Sequence, residues 1–224
     1  MTRKNVQILN AIREVLRSDT RVLVFDVPMP HITRINLAVL RIAISELGKK
    51  GIYISIDRPD RNVLSILERH NVAVPGESVT ATTGIERSSQ GIAEMAIARV
   101  PANPQGGPPS AIARNRILII SGIFCPTLFL DSVEAAIRSP SEGTANLLKE
   151  LQNMDFIMID NVSTMAAYNS GESIAEFFRR FDIFLGQFPR MRAYLTTDSK
   201  AQMNIFDMAK GLQGARLAMD RTWF

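Results

Sequence analysis

The stretch VFDVPMPHITRINLAVL, Val24 to Leu40, decides how this chain is read. A short aliphatic run, Val22–Phe25, leads into it, and an apolar-periodic segment, Ile35–Ile44, leads out. That pattern is a strand, a loop and a helix. When such a unit binds phosphate, its loop carries glycines and a lysine. The glycines let backbone N–H groups wrap the oxygens, and the lysine balances their charge. Here the loop holds Pro28, Pro30 and His31 and no glycine. It is an altered nucleotide site, a different site, or a plain connection.

Working outward, the same alternation repeats. Val6, Leu9, Ile12, Val15 and Leu16 fall on one helical face ahead of the first strand. The helix after the loop closes at Gly48 with Lys49 and Lys50. IYISID predicts a second strand, and DRNVLSILERHNV a helix with Asp60 as N-cap. SVTATT predicts a short third strand. A helix is expected over Gly91–Arg99, followed by the proline- and glycine-rich loop ARVPANPQGGPPSAIARN. RILIISGIF, DFIMID and RAYLTT read as further strands. DSVEAAIRS, SEGTANLLKELQNM and ESIAEFFRRFDIFLGQF read as helices. The segment QMNIFDMAKGLQGARLAM predicts a closing helix, or a hairpin broken at Gly211 and Gly214. Phe177, Phe178, Phe181, Phe184 and Phe188 give their helix two apolar sides, for burial under the sheet or for a partner.

Apolar strands alternating with amphipathic helices imply a three-layer α/β fold, a mostly parallel sheet with helices on both faces. Residues 1–19 read as an N-terminal helix packed on the domain, and 20–224 as one α/β domain. With 46% hydrophobic residues the chain can bury a large core. Its net charge of +4 is too modest, and its cations too scattered, to indicate nucleic acid by themselves. A single cysteine, Cys125, excludes an internal disulfide and reads as a small core residue. Two histidines and one cysteine far apart give no zinc pattern. There is no G-x-S-x-G elbow and no G-x-G-x-x-G fingerprint. No apolar run is long enough to span a bilayer, and the basic, amphipathic start lacks a signal-peptide core. A cytoplasmic protein is expected.

In parallel sheets of this kind, functional groups gather at the carboxyl ends of the strands. Those ends carry Asp26, Asp57-Arg58, Ser121-Gly122, Asp160-Asn161 and Thr196-Thr197-Asp198. The order strand–loop–helix–GKKGIYISID–helix, then MDFIMIDNVSTM–helix–RAYLTTDSK, resembles the RecA superfamily, and most of all its KaiC-type ATPases. The likeness runs from Arg21 to Ser199 and rests on the order and spacing of its motifs. It implies a RecA-like P-loop NTPase fold. It also implies that Asp160 is the metal-holding aspartate of the Walker B segment, and that Asp57 is the first of the acids that activate the attacking water.

Laid over the phosphate-loop pattern G-x-x-x-x-G-K-[ST], the opening stretch keeps only its last position. Thr33 falls on the Mg²⁺-binding hydroxyl, Ile32 on the lysine, His31 on the second glycine and Asp26 on the first. Prolines remove two of the amides a phosphate nest needs. Arg58 stands where a second acid is common. Without the lysine, the main charge compensation for a triphosphate is gone. The leading expectation is a RecA/KaiC-like domain that has lost ATP hydrolysis and acts as a protein-binding, scaffolding or regulatory module. A protein partner or self-association then replaces the nucleotide, and no cofactor is expected. Residues His31, Thr33 and Arg34 would be the remnant nucleotide loop, and Asp160 with Thr33 the remnant metal site. The alternative is a divergent nucleotide-binding ATPase. It would use ATP and Mg²⁺ on Asp57, Asp160 and Thr33, with Arg34 or Arg58 in place of the lysine. A third reading is a nucleic-acid-associated module using Arg99, Arg114 and Arg116 around the Pro/Gly loop.

Overall fold

A computed structural model describes residues 3–56, 60–69, 79–82, 96–99, 117–121, 127–139, 145, 148–149, 151–198, 200, 214–219 and 223. The elements in chain order are helix α1 (Arg3–Arg17), strand β1 (Val22–Asp26), helix α2 (Ile32–Arg41), β2 (Gly51–Ser55), α3 (Asp60–Arg69), β3 (Val79–Thr82), β4 (Ala96–Arg99) and β5 (Ile117–Ser121). Then come α4 (Thr127–Arg138), β6 (Phe156–Asp160), a single helical turn (Met165–Tyr168), α5 (Gly171–Gln187), β7 (Arg192–Thr197) and β8 (Ala215–Ala218). Asp57, Arg58, Gly122, Cys125, Arg114 and Arg116 lie outside the described residues, as does most of the Pro/Gly loop.

The strands form one sheet in the order β4-β3-β5-β2-β6-β7-β1-β8. Every pairing is parallel except β3 with β4. Strand side chains alternate between its two faces. Leu23, Phe25, Tyr53, Phe156, Met158 and Tyr194 enter one core, with α1 and α2 over it. Val22, Val24, Ile52, Ile54, Ile157, Ile159, Ala193 and Leu195 enter the other, with α4 and α5 over it. This is the three-layer α/β arrangement the periodicity predicts.

Handedness accounts for which helix lies where. The steps β1→β2 and β2→β3 cross the sheet in one direction, and β5→β6 and β6→β7 cross it in the other. If parallel crossovers share one hand, the connecting helices must fall on opposite faces. They do: α2 and Leu67 of α3 pack on one side, and Phe129, Leu130 and Val133 of α4 with α5 on the other.

The helices follow from their sequences. In α1, Ile8, Ile12 and Leu16 repeat every four residues and are buried, while Arg17 sits favourably in the last turn. Helix α5 starts where the Ser170 hydroxyl accepts the Ser173 amide at 3.2 Å, with Glu172 in its first turn. Ile174, Phe177, Phe178, Phe181, Phe184 and Leu185 fall on one face and are all buried. The aromatic helix is therefore core beneath the sheet. Helix α2 ends in a π-type turn over Ile42–Glu46, where the Leu47 amide reaches the Ile42 carbonyl at 2.9 Å. Gly48, at φ 67°, then reverses the chain into β2.

Two elements differ from the sequence expectation. Ala96–Arg99 is a strand antiparallel to β3, where a helix was expected over Gly91–Arg99. Its alanine- and isoleucine-rich residues suit either form, and pairing with β3 decides it. Ala215–Ala218 is a strand parallel to β1, while residues 202–213 of the segment expected to close the chain as a helix or hairpin lie outside the described residues. At Gly214 a Cβ would lie 2.6 Å from the Val22 carbonyl oxygen. A side chain there would hinder the approach of β8 to β1.

Candidate functional site

Among the described residues, every buried polar or charged residue except Asn36 lies at or just beyond the carboxyl ends of β1, β2, β6 and β7. Asp26 ends β1, Ser55 ends β2, and Asp160 ends β6 with Asn161 and Ser163 after it. Thr196 and Thr197 end β7, and Asp198 follows. The helix after β1 covers one face and the helix after β6 covers the other, with β7 between them. A crevice is expected at such a reversal of strand order.

Hydrogen bonds join the end of β7 to the turn after β6. Ser163 Oγ and Thr197 Oγ1 lie 3.0 Å apart, and the Asp198 amide donates to Ser163 Oγ at 2.9 Å. Asn161 Oδ1 accepts the Ser163 amide at 3.0 Å, turning the chain after β6 into a short helical turn, Val162–Thr164. The Asn161 amide nitrogen donates to Met29 Sδ at 3.3 Å. Tyr53 donates its hydroxyl to Asp160 Oδ2. Asp160 is fully buried, as is Ser55.

The opening loop is drawn into this network through its backbone. From Val27 to Ile32 the chain has four amides and two prolines. The Val27 amide donates to the Thr197 carbonyl at 2.8 Å, as a continuation of the sheet. The Met29 amide donates to Asp198 Oδ2 at 2.8 Å. The His31 amide donates to the Pro28 carbonyl at 2.8 Å, closing a single 3₁₀ turn over Met29–His31. The Ile32 amide donates to the Met29 carbonyl. All four donors are thus engaged within the chain. Asp198 places a carboxylate on the Met29 amide, where a phosphate nest would present that group to its ligand. The chain also passes from β1 into helical turns within two residues, Val27 and Pro28, so the backbone does not open into a wide cradle.

The candidate residues named from the sequence divide between two places. Asp160 and Asp26 are buried at the ends of β6 and β1, beside that network. His31 closes the 3₁₀ turn beside it. Thr33 and Arg34 instead line a groove between α1 and α2, and Arg34 donates to Asn5 Oδ1 across it. Asp57 lies outside the described residues. The sequence reading missed Met29, Asn161, Ser163 and Asp198 as a connected group. Asp198 was legible as the polar residue next after the RAYLTT strand, paired with a proline-flanked loop one strand away. Among the described residues no group of three or more His, Cys, Asp or Glu is placed to hold a metal ion, and no helix is long and apolar enough to cross a membrane.

No family model matches the chain, and no curated protein matches it. Solved structures do. The helicase MrfA bound to DNA superposes with a TM-score of 0.54 at 11% identity, over 96% of this chain and 25% of that one. MrfA in a second structure gives 0.51 at 10% identity, over 97% and 30%. This chain therefore spans about a quarter to a third of that helicase. A KaiC-like protein from the hyperthermophilic archaeon Pyrococcus horikoshii superposes at 0.49 with 12% identity, over 90% and 72%. Identity this low speaks to fold alone. Taken with the parallel sheet and its helices on both faces, the likeness establishes a RecA-like, three-layer α/β fold for this chain.

Proposed function

We propose that this chain is a RecA-like domain that does not hydrolyse ATP and serves as a protein-binding or regulatory module. One observation carries the reading. Every amide from Val27 to Ile32 is already engaged inside the chain, with the Asp198 carboxylate on Met29. A phosphate arriving there would have to displace a carboxylate and would meet its negative charge, with Ile32 in place of a lysine. Asp160 supports the same reading. A metal-holding aspartate needs an open side toward its ligand, and Asp160 is fully buried and accepts from Tyr53.

Titration calorimetry with ATP and Mg²⁺ tests this. No saturable heat is expected up to millimolar nucleotide. A micromolar affinity, or phosphate release above background that Asp160→Asn abolishes, refutes the proposal in favour of a divergent ATPase.

A further inference from the structure

The groove between α1 and α2 has a volume of about 490 Å³ and lies apart from the strand-end network. Its floor and walls are aliphatic: Ile8, Leu9, Pro30, Ile35, Leu37 and Ala38. Ile8 and Ile35 are buried beneath it, while Leu9, Leu37 and Ala38 rest half-buried on the core. Its rim is cationic, with Arg34 and Arg41 both exposed. The charge bias extends along both helices. Together α1 and α2 carry six lysines or arginines against a single acid, Glu14. The next acid, Glu46, is held by both ends of the Arg13 guanidinium at 2.7 and 2.9 Å. Of these cations, Arg34 and Arg41 line the groove itself.

We infer that this groove docks an acidic, amphipathic helical segment of a partner protein. The inference rests on the reading of the chain as a binding module, and of the loop residues that carry that reading it uses only Pro30. Aliphatic residues between two helices suit the apolar stripe of a third, which buries side chains at i, i+3, i+4 and i+7. The groove follows α2 from Pro30 to Arg41, roughly 17 Å at 1.5 Å per residue, which matches about three turns of a docked helix. Carboxylates flanking the stripe would meet Arg34 and Arg41. Nucleic acid fits less well, because the lining has no aromatic ring on which a base could stack. A membrane fits less well too, because Ile8 and Ile35 are buried and Leu9, Leu37 and Ala38 half-buried, which leaves little apolar surface to enter a bilayer.

The test uses the full chain and a fluorescein-labelled helical peptide of about four turns, with leucines on one stripe and glutamates beside it. Saturable binding is expected with Kd on the order of 10 μM, falling about tenfold between low and high salt. The double variant Arg34→Glu/Arg41→Glu should weaken it at least about tenfold. Arg138→Glu, an exposed change on α4, should leave it unaltered. A scrambled peptide of the same composition, and one with lysines for glutamates, should not bind. The inference is overturned by absent binding, by equal binding of the scrambled peptide, or by indifference to the double variant. It is also overturned if phosphatidylserine vesicles or single-stranded DNA bind and displace the peptide. Circular dichroism checks that both variants are folded. ATP calorimetry on the same samples reads the loop separately, so nucleotide binding would sink the proposed function while leaving the groove result standing.

Discussion

Asp198 is the residue whose removal says most about the loop. Its carboxylate accepts the Met29 amide at 2.8 Å through one oxygen and the Lys200 amide at 3.1 Å through the other. In Asp198→Ala both acceptors disappear. The Lys200 residue is exposed, so water replaces its partner at little cost. The bond from the Met29 amide is partly buried, between Pro28 and Pro30. A charge-assisted bond to a buried group contributes roughly 1.5–3 kcal/mol. Loss of a buried carboxylate's desolvation penalty offsets part of that, which leaves a destabilisation of about 2 kcal/mol. For a chain of this length, that corresponds to a fall in Tm of roughly 4–8 °C. Asp198→Asn keeps an oxygen for the Met29 amide and loses the charge and the acceptor for the exposed Lys200 amide, so about half that fall is expected.

Thermal and urea unfolding followed by far-UV circular dichroism measure both variants. A loss below roughly 0.5 kcal/mol in Asp198→Ala, within the range of ordinary surface changes, would show that the carboxylate does not hold the loop. The same variant carries a second reading. Releasing one amide restores neither the two proline positions nor the missing lysine, so ATP with Mg²⁺ should still not bind. Nucleotide binding that appears in Asp198→Ala would mean that the carboxylate alone blocks a competent site, which the argument from Pro28, Pro30 and Ile32 denies.

Three further outcomes are expected. Gly51→Ala places a Cβ 2.1 Å from the buried Phe156 ring, which itself stacks on Tyr194 at 5.2 Å, so overpacking should lower stability by about 1–3 kcal/mol in urea denaturation. Asn36 is 1% exposed, and neither side-chain atom finds a hydrogen-bond partner among the described residues. Asn36→Leu should therefore raise stability by roughly 1–2 kcal/mol, and a fall would mean the amide serves a contact not seen in the isolated chain. Burial pushes the Tyr194 phenol up to about 12, so the folded state holds that proton more tightly than the unfolded state. The resulting stabilisation is complete below about pH 10 and is lost as pH rises toward 12, close to 3 kcal/mol in full. Lys49, whose own ammonium burial lowers, donates to Tyr194 at 3.2 Å and works in the opposite sense. The difference between wild type and Tyr194→Phe across alkaline pH therefore reads the phenol together with its bond from Lys49. Parallel unfolding curves would refute the assignment.

The sheet was legible because its signals are local. Aliphatic runs such as VLVF and FIMI must be buried on both faces, and the helices between them show one apolar stripe each. Ala96–Arg99 and Ala215–Ala218 escaped that logic. Both are short, and alanine favours helix where no partner strand is known, so their state is set by β3 and β1 and not by their own residues. The strand-end acids could be named one by one for the same local reason: each follows an aliphatic run. Which of them meet could not be read, because β7 enters the sheet between β6 and β1 although more than 100 residues separate those two in sequence. That insertion is what brings Asp198 within reach of Met29 and Thr197 within reach of Val27. The sequence shows a loop missing the residues that hold phosphate. The fold adds that the donors left in that loop are satisfied from the neighbouring strand. Loss of a ligand alone would leave buried amides without acceptors at the head of α2, and such a loop would be unstable. Here Asp198 and Thr197 supply those acceptors, so the Met29 and Val27 amides are satisfied within the chain.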